Sequence, residues 1–176
     1  MTLLTTFTGG KVDYANPLPE QINIMDIATA LSRECRYAGH ASHFYSVAQH
    51  SVLCSRIVLP ELAIEALLHD AAEAYLKDIP SPLKALLPDY KLLEARFDRA
   101  IREHFGLPEL HSSAVKEADN ILLVTEIRDL FPPDRVLHKT PIPAEPMNGR
   151  IWPLSPETAK DQFLDRFNRL QRKSNG

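Results

Sequence analysis

The amino-acid sequence predicts an all-α fold, a helical bundle of six to seven helices in a single domain, with at most a small N-terminal hairpin. Apolar residues recur at helical spacing along most of the chain, and prolines separate the periodic stretches. The chain of 176 residues has the usual size of one domain, and its 44% hydrophobic content suffices for one core. We therefore expect one domain over residues 1–176.

The elements of the first part of the chain follow from residue type and spacing. β-Branched and apolar residues on both sides of the glycines at 9–10 predict a hairpin over residues 3–14. A helix over residues 24–35 should follow, with Asn23 as its N-cap. Its inward residues are Ile24, Ile27, Ala28, Leu31 and Cys35. The same spacing predicts a second helix over residues 47–58.

Three more helices are predicted in the middle of the chain. Residues 61–76 are apolar almost all round, which is typical of a helix at the centre of a bundle. Residues 88–105 show the spacing of an amphipathic helix. A further helix is predicted over residues 113–130, capped by Ser112 or Ser113.

The C-terminal part of the chain changes character. Residues 132–156 hold seven prolines and show no clear period, which predicts an irregular segment. A last helix is predicted over residues 157–172, because apolar residues recur there at intervals of three or four.

Composition excludes several functional classes. Twenty basic and 23 acidic residues give a net charge of −3, which offers no general electrostatic footprint for a nucleic acid polymer. No stretch approaches the roughly 18 apolar residues of a membrane span, and the N-terminus does not resemble a signal peptide. Two cysteines, Cys35 and Cys54, fit buried reduced thiols. We expect a soluble, cytoplasmic protein.

Five ionisable side chains lie on faces that should be buried. They are His50, His69, Asp70, Glu73 and Asp119. A buried carboxylate is costly unless it is paired or metal-bound, and no lysine or arginine occurs between Arg56 and Lys77 to balance the central helix. We therefore predict one divalent metal ion. Two imidazoles with carboxylates suit manganese, cobalt, magnesium, iron, nickel or zinc.

Helix geometry allows four of these side chains to share one ion. Neighbouring residues on a helix diverge by about 100°, so His69 and Asp70 can flank an ion from two sides. His50 would arrive from the preceding helix and Asp119 from a later one. Four ligands leave positions for water and substrate, as a catalytic site requires.

A second polar group follows the central helix. Asp78 stands just before Pro80 and Pro82, which fix the local backbone, and Lys84 comes directly after them. In isolation these residues are a loop acid and a solvated base. Beside a metal site, both become candidates for substrate handling.

These motifs together resemble the HD-domain metal-dependent phosphohydrolases, whose signature is His…His-Asp…Asp. The likeness is strongest to the bacterial 5′-deoxynucleotidase branch, which carries His-Asp-x-x-Glu-x(4)-Asp-[Leu/Ile]-Pro-[Thr/Ser]-Pro in the same order and spacing. The resemblance covers residues 22–130. Its matching segments are residues 49–51, 68–73, 78–84 and 116–119. One departure is Gln49, where many members of the branch have glutamate.

The resemblance implies specific roles at the metal. The implied metal ligands are His50, His69, Asp70 and Asp119. Glu73 and Asp78 would be the acid–base pair near the metal-bound water, with the order of their two tasks left open.

Other residues are implied as substrate contacts. Arg36 falls close to the phosphate-contacting arginine of the branch, and Arg33 on the same polar face is the rival. Lys84 would offset the remaining phosphate charge. His40 and His43, which the signature does not require, are either loop residues, substrate contacts or a third imidazole near the metal.

The function that the resemblance implies is removal of phosphate from nucleoside 5′-monophosphates, with deoxyribonucleotides preferred. The expected partner is thus a small-molecule nucleotide, and the sequence also leaves a homodimer open. Three alternatives remain. The substrate is another nucleotide (cyclic, triphosphate or signalling), the protein is a metal oxygenase on the same scaffold, or it is a non-catalytic helical module with a structural ion.

Overall fold

The computed structural model describes residues 2–132 and 142–174. Within these ranges the protein is mostly helical and has one small antiparallel hairpin, which confirms the predicted helical class. Part of the predicted irregular segment, residues 133–141, lies outside the described residues, and residues 142–155 form neither helix nor strand. No helix in the described ranges combines the length and the hydropathy that crossing a membrane demands.

The hairpin joins β1 (Leu3–Thr5) to β2 (Lys11–Asp13). Leu4 is opposite Val12 in the antiparallel register, and Gly9 in the turn has a φ of 84°, which favours a residue without a Cβ. The Val12 side chain is fully buried in the main core, so the hairpin is anchored to the helices.

Eight α-helices follow in chain order within the described residues. They are α1 (Ile24–Arg33), α2 (Val47–Ile57), α3 (Ala63–Leu68), α4 (Glu73–Leu76), α5 (Ser81–Lys84), α6 (Pro88–Phe105), α7 (Ser113–Leu130) and α8 (Pro156–Ser174). Asn23 caps α1 by accepting a hydrogen bond from the Met25 amide at 2.8 Å, as predicted. Ser112 caps α7, and Gly106 ends α6 with a φ of 64°.

The predicted central helix over residues 61–76 is interrupted between α3 and α4. In the interruption, the Ala71 amide donates to a carbonyl three residues back rather than four. The His69 side chain explains part of this change, because its Nδ1 donates at 2.8 Å to the Ala66 carbonyl. In a regular helix that carbonyl would accept from the Asp70 amide. The tightened turn carries both His69 and Asp70.

The first helix ends at Arg33, two residues earlier than predicted. The reason is a backbone pairing, because Cys35 forms an isolated antiparallel bridge with Ser46 and the Arg36 amide donates to the Tyr45 carbonyl at 2.9 Å. The two ends of the connection between α1 and α2 are therefore paired with each other, and this pairing holds Arg36 beside the start of α2.

The central helix of the bundle is α2, which contacts α1, α3, α7 and α8. One core includes Phe97 of α6 and Phe163 of α8, packed with α1 and α2. A second core lies between α2, α3 and α7 and includes Cys54 and Leu122. Because α2 stands between the two cores, the side chain of His50 is fully buried.

Candidate functional site

His50 is held on the buried face of α2 by a carboxylate. Ser46 caps this helix by accepting the Gln49 amide at 3.2 Å, so His50 lies in its first turn. Its Nδ1 is 2.6 Å from Glu126 Oε1. An ionised carboxylate only accepts hydrogen bonds, so Nδ1 carries a proton, and Nε2 is the atom that faces the second histidine.

His69 presents the same ring nitrogen from the tightened turn after α3. Its Nδ1 donates to the Ala66 carbonyl, which fixes the tautomer because a carbonyl oxygen has no proton to give. Its Nε2 lies 3.3 Å from His50 Nε2. A hydrogen bond at Nδ1 that leaves Nε2 for a metal is the usual arrangement of a metal-binding histidine.

Donor atoms from three parts of the fold meet at one point. His50 Nε2, His69 Nε2 and a carboxylate oxygen of Asp119 lie within 4.8 Å of one another. Asp119 Oδ1 is 3.4 Å from His50 Nε2. Ligands bonded at about 2.1 Å to one tetrahedral ion stand roughly 3.4 Å apart, so these spacings fit a divalent metal. We call these three side chains the ligand cluster.

Asp70, the fourth predicted ligand, lies at the edge of the ligand cluster. Its Oδ2 is 3.2 Å from His69 Nε2, 3.6 Å from His50 Nε2 and 3.5 Å from a guanidinium nitrogen of Arg36. Burial raises the pKa of Asp70, but the contacts with His69, and then with His50 and Arg36, hold it below its usual range. Asp70 is therefore ionised and shared with Arg36 in the metal-free protein.

Protons hold the ligand cluster together when no metal is present. Burial lowers the pKa of His50, and the Arg36 charge lowers it further. Glu126 and Asp119 outweigh both effects and raise the pKa of His50 to about 9. Burial raises the pKa of Asp119, but its hydrogen bond to His50 holds it below its usual range. A divalent ion would take the place of the His50 proton.

Glu126 is the residue beneath the ligand cluster that sequence reasoning missed. Its side chain is fully buried, and its Oε1 accepts from the Tyr45 hydroxyl at 2.9 Å. Its Oε2 accepts from Arg36 Nε at 3.3 Å and from the Tyr37 hydroxyl. Burial raises the pKa of Glu126, whereas Arg36 and then His50 lower it, to about 2. Glu126 therefore carries a buried negative charge with four partners.

Two signals in the sequence point to these missed residues. Glu126 lies seven residues after Asp119, which is two turns along the same face of α7. Tyr37 and Tyr45 flank the connection before α2, where large aromatic residues with hydroxyl groups are unusual for a plain surface loop. Lys116, also not singled out, contacts Asp119 Oδ2 at 2.7 Å.

Arg36 reaches this site through an unusual backbone turn. Tyr37 and Ala38 have φ values of 58° and 49°, the left-handed region that costs about 1–3 kcal/mol for a residue with a Cβ. The pairing of Arg36 with two carboxylates offsets this strain. Its side chain is 12% exposed, and it forms part of a cavity wall beside the ligand cluster.

That cavity has a volume of about 400 Å³, within the range of small-molecule sites. Asp70 and Asp119 are on its wall and connect it to the ligand cluster. Its other charged lining residues are Arg36, Glu73, Asp78, Lys84 and Lys116. Lys84 Nζ lies 2.6 Å from Glu94 Oε1, which fixes that side chain at the rim. We call this space the metal-side cavity.

The two predicted acid–base residues both face the metal-side cavity. Glu73 is 7% exposed, and its Oε2 has no hydrogen-bond partner among the described residues. Burial raises the pKa of Glu73 well above its usual range, and the charges of Asp70 and Asp78 raise it further. Burial also raises the pKa of Asp78, whose amide donates to Glu34 Oε1 at 3.4 Å.

Other predicted substrate contacts lie away from the metal-side cavity. The Arg33 guanidinium sits 5.6 Å from the ring centre of Phe7, on the hairpin side of α1. Because α1 ends at Arg33 and the chain then turns, Arg33 and Arg36 face different parts of the molecule. His40 and His43 are exposed and do not line the metal-side cavity.

Two acids within residues 57–76 pair with arginines from other parts of the chain. Arg36 approaches Asp70, and Arg102 of α6 lies 3.3 Å from the buried Glu65 of α3. The Ser112 amide donates to the same Glu65 oxygen at 2.8 Å. The absence of lysine and arginine from residues 57–76 therefore does not require a metal for these two acids. The close approach of donor atoms from His50, His69 and Asp119 is better evidence for a metal site.

Two uncharacterized bacterial proteins are similar in sequence to this chain. No protein-family model matches it. The uncharacterized protein YfdR of Escherichia coli (strain K12) is 52% identical to it over 172 residues, which are 97% of this chain and 96% of YfdR. An uncharacterized protein of Rhodobacter capsulatus is 34% identical over 121 residues, covering 63% of this chain and 62% of that protein. The chain therefore belongs to the same family as Escherichia coli YfdR.

Proposed function

We propose that the protein is an HD-type metal-dependent phosphohydrolase that removes phosphate from nucleoside 5′-monophosphates, with deoxyribonucleotides preferred. The proposal is supported mainly by one observation: the ligand cluster adjoins the metal-side cavity, whose wall carries cationic side chains and Glu73, an acid with an unpaired oxygen among the described residues. A structural ion alone would not need the unpaired acid. The sequence resemblance supports the same reaction.

The ligand cluster and Asp70 form a mixed nitrogen and oxygen donor set that suits a divalent transition metal. His50, His69 and Asp119 would hold the ion, with Asp70 as the fourth ligand. A bound divalent ion would lower the pKa of its water and offset charge on a phosphoryl oxygen. Glu126 positions this site by fixing the His50 ring through Nδ1.

Cations on the cavity wall provide the affinity for phosphate. A phosphate monoester carries nearly two negative charges at neutral pH. Lys84 and Lys116 each contact one carboxylate, and an ammonium group has three donors, so each keeps donors for a ligand. Arg36 adds a third positive charge from the wall nearest Asp70.

Glu73 and Asp78 provide the proton transfers. Because its raised pKa favours the protonated form, Glu73 can donate a proton to the leaving oxygen of the ester. Asp78, which is less buried and borders the same cavity, accepts the proton of the attacking water. Catalysis then depends mostly on position and charge, as in other phosphoryl transfers.

The test is release of inorganic phosphate from 5′-mono-, di- and triphosphates and cyclic nucleotides, with manganese, cobalt, magnesium, iron, nickel and zinc each supplied in turn. We expect turnover of 5′-monophosphates, with deoxyribonucleotides ahead of ribonucleotides. No turnover of any 5′-monophosphate would reject the proposal. Turnover confined to cyclic, triphosphate or signalling nucleotides would move the same site to another substrate.

Glu73→Ala separates catalysis from folding. Alanine is a good helix former, so α4 and the metal content should be retained. The value of kcat should fall by roughly 10²–10⁴, the usual contribution of a general acid or base. Glu61→Ala, which removes an exposed glutamate before α3, is the matched control and should keep wild-type turnover. Equal turnover in both variants would remove Glu73 from the mechanism.

A further inference from the structure

Another cavity, of about 330 Å³, lies between the hairpin, α1 and α4. It shares no lining residue with the metal-side cavity. We call it the hairpin cavity. The residues that decide its chemistry are Thr6, Phe7, Asp26, Thr29, Arg33 and Tyr75.

Three buried hydroxyl groups without described partners belong to residues that line this cavity. Five buried side-chain oxygen atoms lack a hydrogen-bond partner within the described residues, and three of them belong to lining residues of the hairpin cavity. They are the hydroxyls of Thr6, Thr29 and Tyr75. The Thr29 and Tyr75 residues are only 2% and 5% exposed. Since buried polar groups nearly always have a partner, a polar ligand in this cavity would find three hydroxyls that need one.

The charges at the hairpin cavity restrict what that ligand can be. Asp26 is buried, and its two carboxylate oxygens accept from the Thr8 amide at 2.7 Å and from the Thr8 hydroxyl at 2.9 Å. Arg33 lies at the open end, over the exposed ring of Phe7. The interior therefore offers hydroxyl groups rather than a free charge, and a charged ligand would be desolvated there without compensation.

The open end also favours a flat molecule. A guanidinium group and a phenyl ring are both planar and both stack on aromatic systems. Leu4, Ala30 and Ala74 add apolar wall on the remaining sides. A hydroxyl group can donate and accept, so the three unpaired hydroxyls suit a ring edge that carries both kinds of group.

We propose that the hairpin cavity binds a small, uncharged heteroaromatic molecule of nucleobase or nucleoside size. The volume is within the range of small-molecule sites. The proposal does not depend on the phosphohydrolase reaction, and its test measures binding to the metal-free protein.

The experiment titrates the metal-free protein, by calorimetry, with the five common nucleobases and their nucleosides. At least one should bind. Thr29→Val keeps the branched shape but removes one unpaired hydroxyl, and Tyr75→Phe removes another. Each should weaken binding tenfold or more, while the free variants keep or raise their Tm because a buried unpaired group is gone. Loss of folding in these variants is not expected.

Two further variants locate the ligand. Ala30→Leu fills the hairpin cavity with a residue that favours helix and should abolish binding. Thr125→Val is the matched control, because the Thr125 hydroxyl has partners and lies elsewhere, so binding should stay at the wild-type level. Absence of binding by every probe at millimolar concentration would overturn the proposal. Binding that survives Ala30→Leu, or a crystal soaked with the probes that shows only water in the hairpin cavity, would also overturn it.

Discussion

Glu126 and Glu73 are both buried near the ligand cluster and differ in their hydrogen bonds and in the direction of their pKa shifts. Glu126 is fully buried, has hydrogen-bond donors on both oxygens, and has its pKa lowered. Glu73 is nearly as buried, has one oxygen without a described partner, and has its pKa raised. Burial alone disfavours the charge in both. The neighbours therefore decide that the pKa is lowered in one acid and raised in the other.

The largest effect is expected from removing the Glu126 side chain. Glu126→Ala would leave Arg36 and His50 buried beside each other without their shared counter-charge. Removing one partner of a buried ion pair costs about 3–5 kcal/mol, so urea denaturation should show a loss of this size. The metal content should fall as well, because the His50 ring loses its support.

Glu117→Ala is the control for this variant, since Glu117 is an exposed residue of the same helix. Its free energy of unfolding should stay within about 0.5 kcal/mol of the wild type. Similar stability in the two variants would mean that Glu126 is not the centre of the buried network.

A smaller effect is expected from single hydroxyls. Tyr45→Phe removes one donor to Glu126 and should cost about 1.5–3 kcal/mol, the usual contribution of a hydrogen bond to a charged group. Tyr75→Phe removes a buried hydroxyl that has no described partner, so it should cost nothing or stabilise the protein. Thermal denaturation of the two variants under the same conditions measures the difference directly. Equal losses in both would contradict the contrast between paired and unpaired groups.

An effect that depends on pH is expected at Glu73. Below the usual glutamate pKa of about 4.5, Glu73 is protonated in both the folded and the unfolded chain. As the pH rises towards the higher pKa of the folded state, the unfolded chain releases its proton more readily, so stability is lost. Glu73→Gln cannot ionise and should therefore be more stable than the metal-free wild type at pH 8, with the gap closing near pH 4. A gap that does not change with pH would show that Glu73 ionises normally.

Much of this arrangement could be predicted from periodicity. His50, His69 and Asp119 were identifiable because each stands on an apolar helix face, and the structure brings these three together. The caps at Asn23 and Ser112 followed from local preferences that tertiary contacts did not override. Helix faces and helix caps depend on a few neighbouring residues, so they can be predicted from a single sequence.

Features that depend on distant contacts were not predictable in this way. Glu126 is a residue type that usually faces solvent, and only the folded structure reveals its four partners. The interruption at His69 depends on one side chain that competes for a backbone carbonyl. The separation of Arg33 from Arg36 depends on the bridge that ends the first helix. The last two features leave no periodic signal in the chain, and Glu126 is marked only by its spacing of seven residues from Asp119.

The network around Glu126 also sets an order of events during protein synthesis. The groups that it binds lie 76 to 90 residues earlier in the chain. At the usual 5–20 residues per second, a ribosome adds Glu126 roughly 4–15 s after His50. Until then, Arg36 and His50 would be buried without their counter-charge if the early helices closed. The nascent N-terminal half should therefore stay open to chaperones and proteases until α7 emerges.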